Sequence, residues 1–265
     1  SYFNIKVDDR IQRIQAGTLN GILEEFFATG GGGAFREALT VNPSADQVQA
    51  FFDNPKFIGT FGPGSRGTDV VMIVSATQLN IASLKEQGFD FALSYDFEVG
   101  DDIMMGVFAQ GTYLTTYALQ SAPGRDFVDA LGKYTSFGAP VALRSKQGVW
   151  AEKGAFDGRL TMNYTDSYTC ETCYIAGAGG APEISASPVK IDSWVTFDLN
   201  LGWDVSDFGG FAEDTRINFQ VVNLFNSGAP LFDAGSPSSS TPSSYDPNNH
   251  TITGRSVALT LTKNW

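Results

Sequence analysis

Arg255-Ser-Val-Ala-Leu-Thr-Leu-Thr-Lys-Asn-Trp265 alternates apolar with small or polar residues up to a tryptophan. Val257, Leu259, Leu261 and Trp265 fall on one side, with Ser256, Ala258, Thr260, Thr262 and Asn264 opposite, the period-two pattern of a strand between two different environments. A strand that is apolar outward, polar inward and tipped with an interfacial aromatic suits a barrel in a bacterial outer membrane. A half-buried strand of a soluble sandwich alternates too, so this stretch by itself leaves both open.

The same alternation recurs upstream. Phe89, Phe91, Leu93, Tyr95, Phe97 and Val99 are apolar, while Gly88, Asp90, Ala92, Ser94, Asp96 and Glu98 between them are small or acidic. From Val189 to Val205, Val189, Ile191, Val195, Phe197, Leu199, Leu201 and Trp203 oppose Lys190, Asp192, Thr196, Asp198, Asn200 and Asp204. That predicts one strand of 17 residues, against about 5 to 6 for a typical globular strand. Further strands are expected at 2–9, 103–119, 141–152, 156–169, 215–225 and 252–265, eight in all. Their connections alternate: short at 100–102 and 152–155 and moderate near 207–211, long at 10–68, 120–140, 170–188 and 226–251. Short turns at one end and long loops at the other fit periplasmic and extracellular ends. The expected class is all-β, an antiparallel transmembrane β-barrel segment, treated as one domain over 1–265. Within the first long loop, Ser44-Ala-Asp-Gln47 predicts a capping box and a short helix through Val48, Phe51 and Phe52, stopped at Asn54-Pro55.

Composition narrows the classes. Of 265 residues, 42% are hydrophobic and 17% charged, yet no apolar run approaches the ~18 residues of a spanning helix. Twenty-one Phe and 29 Gly suit strands and turns. A net charge of −12 without a Lys/Arg cluster argues against nucleic-acid binding. Ser1-Tyr2-Phe3-Asn4-Ile5-Lys6-Val7 reads as a strand already under way, with no leader pattern, as expected of the later part of something longer.

Several residues could carry chemistry. Cys170-Glu-Thr-Cys173 could be a redox pair, half a zinc site or a disulfide. With no second pair and His250 the only histidine, Cys and His cannot complete a zinc site. The favoured reading is a disulfide pinning an extracellular loop in an oxidising compartment. His250 reads as an ordinary loop histidine. No nucleophile elbow, phosphate loop or dinucleotide fingerprint is present, so no enzyme, cofactor or metal is expected. Asp90, Asp96, Glu98, Asp192, Asp198 and Asp204 would face a lumen, where they hydrate it or touch a plug or substrate. Tyr95, Phe97, Trp203 and Trp265 sit where an aromatic girdle belongs.

Five stretches, in order, carry a family likeness: Leu79-Asn80-Ile81 with Gln87-Gly88-Phe89-Asp90; Met162-Asn163-Tyr164-Thr-Asp-Ser-Tyr168; Ser193-Trp194-Val-Thr-Phe-Asp198-Leu-Asn-Leu-Gly-Trp203; Val222-Asn223-Leu224-Phe225-Asn226 with Pro230; and Gly254-Arg255 with Trp265. Together they resemble the C-terminal barrel region of TonB-dependent receptors. The resemblance implies an outer-membrane location and the last eight strands of a 22-stranded barrel. It implies import of a nutrient (an iron chelate, a vitamin or an oligosaccharide). The implied partners are outer-membrane lipid, a plug domain, the remaining strands and a periplasmic TonB-type transducer. It makes Asn223, Leu224 and Phe225 part of a penultimate-strand motif, Gly254 and Arg255 part of the closing strand, and Trp265 its assembly aromatic. The rivals are a self-contained small barrel acting in surface binding or adhesion, and a soluble extracellular β-sandwich binding module.

Overall fold

The computed structural model describes residues 1–264 apart from 14–15, 34, 55–69, 75–77, 123, 135–137, 172, 177–181, 186 and 232–244. The expectation for Trp265 therefore lies outside the described residues. Two compact units are present: Ser1–Ile5, Lys85–Ala118 and Asp129–Trp265 form the first, and Lys6–Leu84 with Leu119–Val128 the second.

Eight strands follow one another in a single sheet whose spatial order is their chain order: β1 (Tyr2–Arg13), β2 (Gln78–Val99), β3 (Ile103–Gln120), β4 (Leu143–Lys153), β5 (Phe156–Thr165), β6 (Trp194–Asp204), β7 (Thr215–Val222) and β8 (Ser256–Lys263). A two-residue strand, Val128–Asp129, pairs with β3 as a ninth member. From β3 to β8 every pairing is antiparallel. Among the described residues the order ends at β1 and β8, and no pairing closes it into a barrel. These are the eight strands that alternation predicts.

Their boundaries need correction: the strand expected over 215–225 ends at Val222 and the one expected over 252–265 begins at Ser256, and three further differences follow. The strand expected over 189–205 is two: Val189–Ile191 pairs with Tyr168–Cys170 in a small separate ribbon, and β6 begins at Trp194. The strand expected over 156–169 likewise ends at Thr165. The segment 10–68, read as a loop with one short helix, also holds the end of β1 and a 13-residue helix, α1 (Ala16–Ala28).

The turns that set the register are brief. Only Gly154 and Ala155 join β4 to β5, and Gly154 takes φ +55°, a left-handed conformation costly for residues with a Cβ.

The second unit has its own core of Ile22, Phe35, Ala38, Leu39 and Ala122, with Phe26 and Met72 packed against it. The helix α2 (Ala45–Phe52) opens as expected: Ser44 accepts from the Gln47 N–H while its own N–H donates to the Gln47 side chain. This reciprocal cap satisfies two of the donors that a helix start leaves orphaned.

Candidate functional site

Strand register determines what each face of the first unit presents. One row runs Val107, Val149, Leu160, Leu199, Val221 and Val257 across six strands. The next runs Met105, Ala151, Gly158, Leu201, Phe219 and Leu259. A third carries Phe156, Trp203, Ile217 and Leu261. Phe91 leans over Gly111, which extends this face onto β2. In a soluble protein such a surface would lie under a second layer. Here, among the described residues, most of it is uncovered: Leu93 is 69% exposed, Leu201 44% and Leu259 72%, while Leu160 and Leu199 are half-buried and Val221 is buried.

At the end where β4 turns into β5, the face gathers aromatic rings. Phe156 stacks on Trp203 at 5.4 Å, and Phe208 meets Trp203 edge-on at 5.8 Å. Tyr95 and Phe97 stack at 5.8 Å.

The opposite face is polar by the same register. Trp150, Arg159, Asn200 and Gln220 form one row, and Glu152, Asp157, Gly202 and Asn218 another. A recess of about 820 Å³ opens on this face, bordered by Asp96, Trp150, Glu152, Arg159, Asn200 and Arg216. Arg159 lies over the Phe108 ring at 5.1 Å, a cation–π contact that orients the guanidinium. Asp157 and Arg216 form an ion pair across β6.

The expected lumen carboxylates do different things. Asp96 borders the recess. Asp90 accepts the Thr112 hydroxyl at 2.7 Å, and Asp204 accepts the Ser206 N–H at 2.9 Å. Asp198 accepts from the Asn163 amide at 2.8 Å and from the Asn223 backbone N–H at 2.9 Å. Asp192 lies outside β6, 3.7 Å from Lys190. Glu98 is exposed.

The Asn223-Leu224-Phe225 motif is a joint where β7 ends. Asn223 is buried at φ +53°, exchanging hydrogen bonds with Ser227 at 2.8 and 3.0 Å. The Leu224 N–H donates to the Phe197 carbonyl at 2.6 Å, and the Phe225 ring meets Phe197 at 5.3 Å. The Arg255 N–H donates to the Asn226 side chain at 2.9 Å, which ties in the start of β8; Gly254 packs against that same Asn226 side chain.

Beyond this end of the sheet the connectors build a small core from Ala139, Val141, Tyr168, Cys170, Cys173 and Ile191. Cys170 and Cys173 form a disulfide with both residues buried. Against this core sits a polar cluster with no local signal in the sequence. Fully buried Asp246 accepts from the Tyr168 hydroxyl at 3.0 Å, the Asn249 amide at 2.7 Å and the Asn248 N–H at 2.9 Å. Burial, and then the Asp246 charge, push the Tyr168 phenol well above its usual value. His250, read as an ordinary loop histidine, is buried beside it.

No cluster of three or more His, Cys, Asp or Glu suited to a metal occurs among the described residues, and no described helix is long and apolar enough to cross a membrane. Compared with family models, curated proteins and solved structures, the chain finds no match.

Proposed function

We propose that this chain is a stretch of outer-membrane barrel wall, with one face against lipid and the other against an aqueous bore, and that it serves nutrient import as part of a TonB-dependent receptor. The observation that carries the reading is the pair of apolar rows left largely uncovered on one face, Val221 excepted, while charged and amide side chains fill the other. Water would penalise such an area at about 25 cal/mol per Å², whereas acyl chains accept it. A β-sandwich would need a second layer over these rows.

Dimensions agree with the reading. Strands β4, β5 and β6 have 11, 10 and 11 residues, against about 9–11 for a tilted spanning strand. The ring of Phe156, Trp203 and Phe208 fits the aromatic girdle of the periplasmic boundary. The longer connectors would then face the exterior and supply this chain's share of a binding surface. The charged recess would face the bore, where a plug domain belongs. Edges β1 and β8 would join the remaining strands of a full barrel, since unpaired backbone is costly in lipid. The five sequence stretches resembling the family support the import reading, and nothing in them selects the nutrient.

Single-tryptophan variants reconstituted in vesicles test the wall. Trp203 should be quenched by brominated acyl chains, and Trp150 by an aqueous quencher. A chain that stays monodisperse in plain buffer, with Trp203 blind to brominated lipid, would remove the membrane assignment. For the import reading, the upstream nucleotide sequence should encode a plug domain in the same frame; an unrelated domain there would overturn it.

A further inference from the structure

His250 is the sequence's only histidine and is 6% exposed. Its ring stacks on Tyr168 at 5.9 Å with 17° between planes, and Trp194 meets it edge-on at 5.5 Å. Both imidazole nitrogens, and the Trp194 indole nitrogen, are sealed from solvent with no protein partner among the described residues. The ring thus occupies an aromatic slot that offers it no hydrogen-bond partner among the described residues.

The charges around that slot are Asp246 and Arg144, and the phenols of Tyr168 and Tyr134 are the other titratable groups of this cluster. Asp246 is engaged elsewhere, by the Tyr168 hydroxyl, the Asn249 amide and the Asn248 N–H. Arg144 is bound to the Asn249 side-chain oxygen. Asn249 also donates to the Ala139 carbonyl at 2.8 Å. Residues 246–250 are therefore clamped onto the strand-end core, and the His250 ring is the plug of that clamp.

We propose that His250 is an acid-operated latch: uncharged, it fills the slot and holds residues 246–250 on the connector core; protonated, it leaves the slot and frees the segment leading into β8. The physical reason is that an imidazolium carries two N–H donors and a full charge, and a buried donor without a partner is costly. Burial holds the imidazole below the ordinary histidine value; Asp246 works against that shift and Arg144 adds to it. The latch trips on the acid side of about 6.5. It depends only on the packing of the connectors, so it stands or falls apart from the import reading.

Because there is one histidine, its imidazole resonances need no assignment. The full chain, isotope-labelled at histidine and folded in detergent micelles, should show a titration midpoint below the about 6.5 of an unperturbed histidine side chain. Amide exchange across 246–250 should accelerate with the same midpoint. His250→Gln should abolish the step, and Arg144→Met should move the wild-type midpoint upward. A midpoint at or above that unperturbed value, unchanged exchange through the titration, or the step persisting in His250→Gln would each overturn the latch. If His250→Gln does not fold, coincidence of the wild-type ring titration and the exchange step decides.

Discussion

Asp157 on β5 and Arg216 on β7 reach each other across the intervening strand, directly over Gly202 of β6. Two strands' worth of separation is closed because the middle position has no side chain. A Cβ at Gly202 would overlap both the guanidinium and the carboxylate.

Gly202→Ala should therefore destabilise the folded chain by about 1–3 kcal/mol, the usual cost of overpacking. Removing the half-exposed ion pair itself should cost no more than about 1 kcal/mol. In denaturant titrations, Gly202→Ala placed in an Asp157→Ser/Arg216→Ser background should recover most of its own loss. If the alanine costs as much there as in the wild type, the overlap is not its cause.

Neighbours on β7 should respond oppositely to charge. Phe219 lies on the apolar face and Asn218 on the polar one. Phe219→Arg should lower stability in vesicles by about 2–4 kcal/mol if the residue sits near the bilayer midplane. Asn218→Arg should change it by a few tenths at most. Equal effects from the two arginines would contradict the two-environment reading.

The eight strands were legible because alternation is a local property: each strand reports its own two faces. Parity failed at Asp192-Ser193: Ser193 interrupts the apolar odd positions, Ile191 before it turns into the connector core and Val195 after it faces outward in the sheet. A period says which residues share a side, not whether the chain stays in one sheet. Helix α1 was missed because Ala16-Gly-Thr-Leu-Asn-Gly carries two glycines and no N-terminal acid, so its start is unmarked. The Tyr168–Asp246–His250 cluster joins positions about 80 residues apart, and composition holds no trace of such a partner. The Asn223–Phe225 joint is visible in the sequence as a family-like motif; its reason, the capture of the β7 end by Asp198 and Phe197, is a contact between residues about 25 positions apart and leaves no local pattern.

Cys170 and Cys173 are both buried, so dithiothreitol should leave the disulfide intact in the folded chain and cleave it readily in urea. Thiol alkylation followed by mass measurement reads this directly. Replacing both with Ser should cost about 2 kcal/mol, the chain-entropy value for a four-residue loop.

The connector core should weaken at both ends of the pH scale. Tyr168 has its phenol value raised by burial and by Asp246, so above about pH 10 the unfolded chain releases a proton that the folded chain retains. Stability contributed by the neutral phenol falls as pH rises from there. His250 is held low, so below about 6.5 the unfolded chain takes up a proton first, and stability falls as pH drops towards the folded value. Thermal melts across this range should show a plateau between the two limits. Tyr168→Phe should flatten the alkaline limb while costing about 1–3 kcal/mol at neutral pH, through the donor Asp246 loses.

The unequal connectors also imply an order of assembly. Two residues separate β4 from β5, whereas 64 separate Arg13 from Gln78. On the logarithmic cost of closing a flexible loop, that difference is worth about 3 kcal/mol. The β4–β5 hairpin is thus the natural seed, from which neighbouring strands zip outward, and β1 docks last.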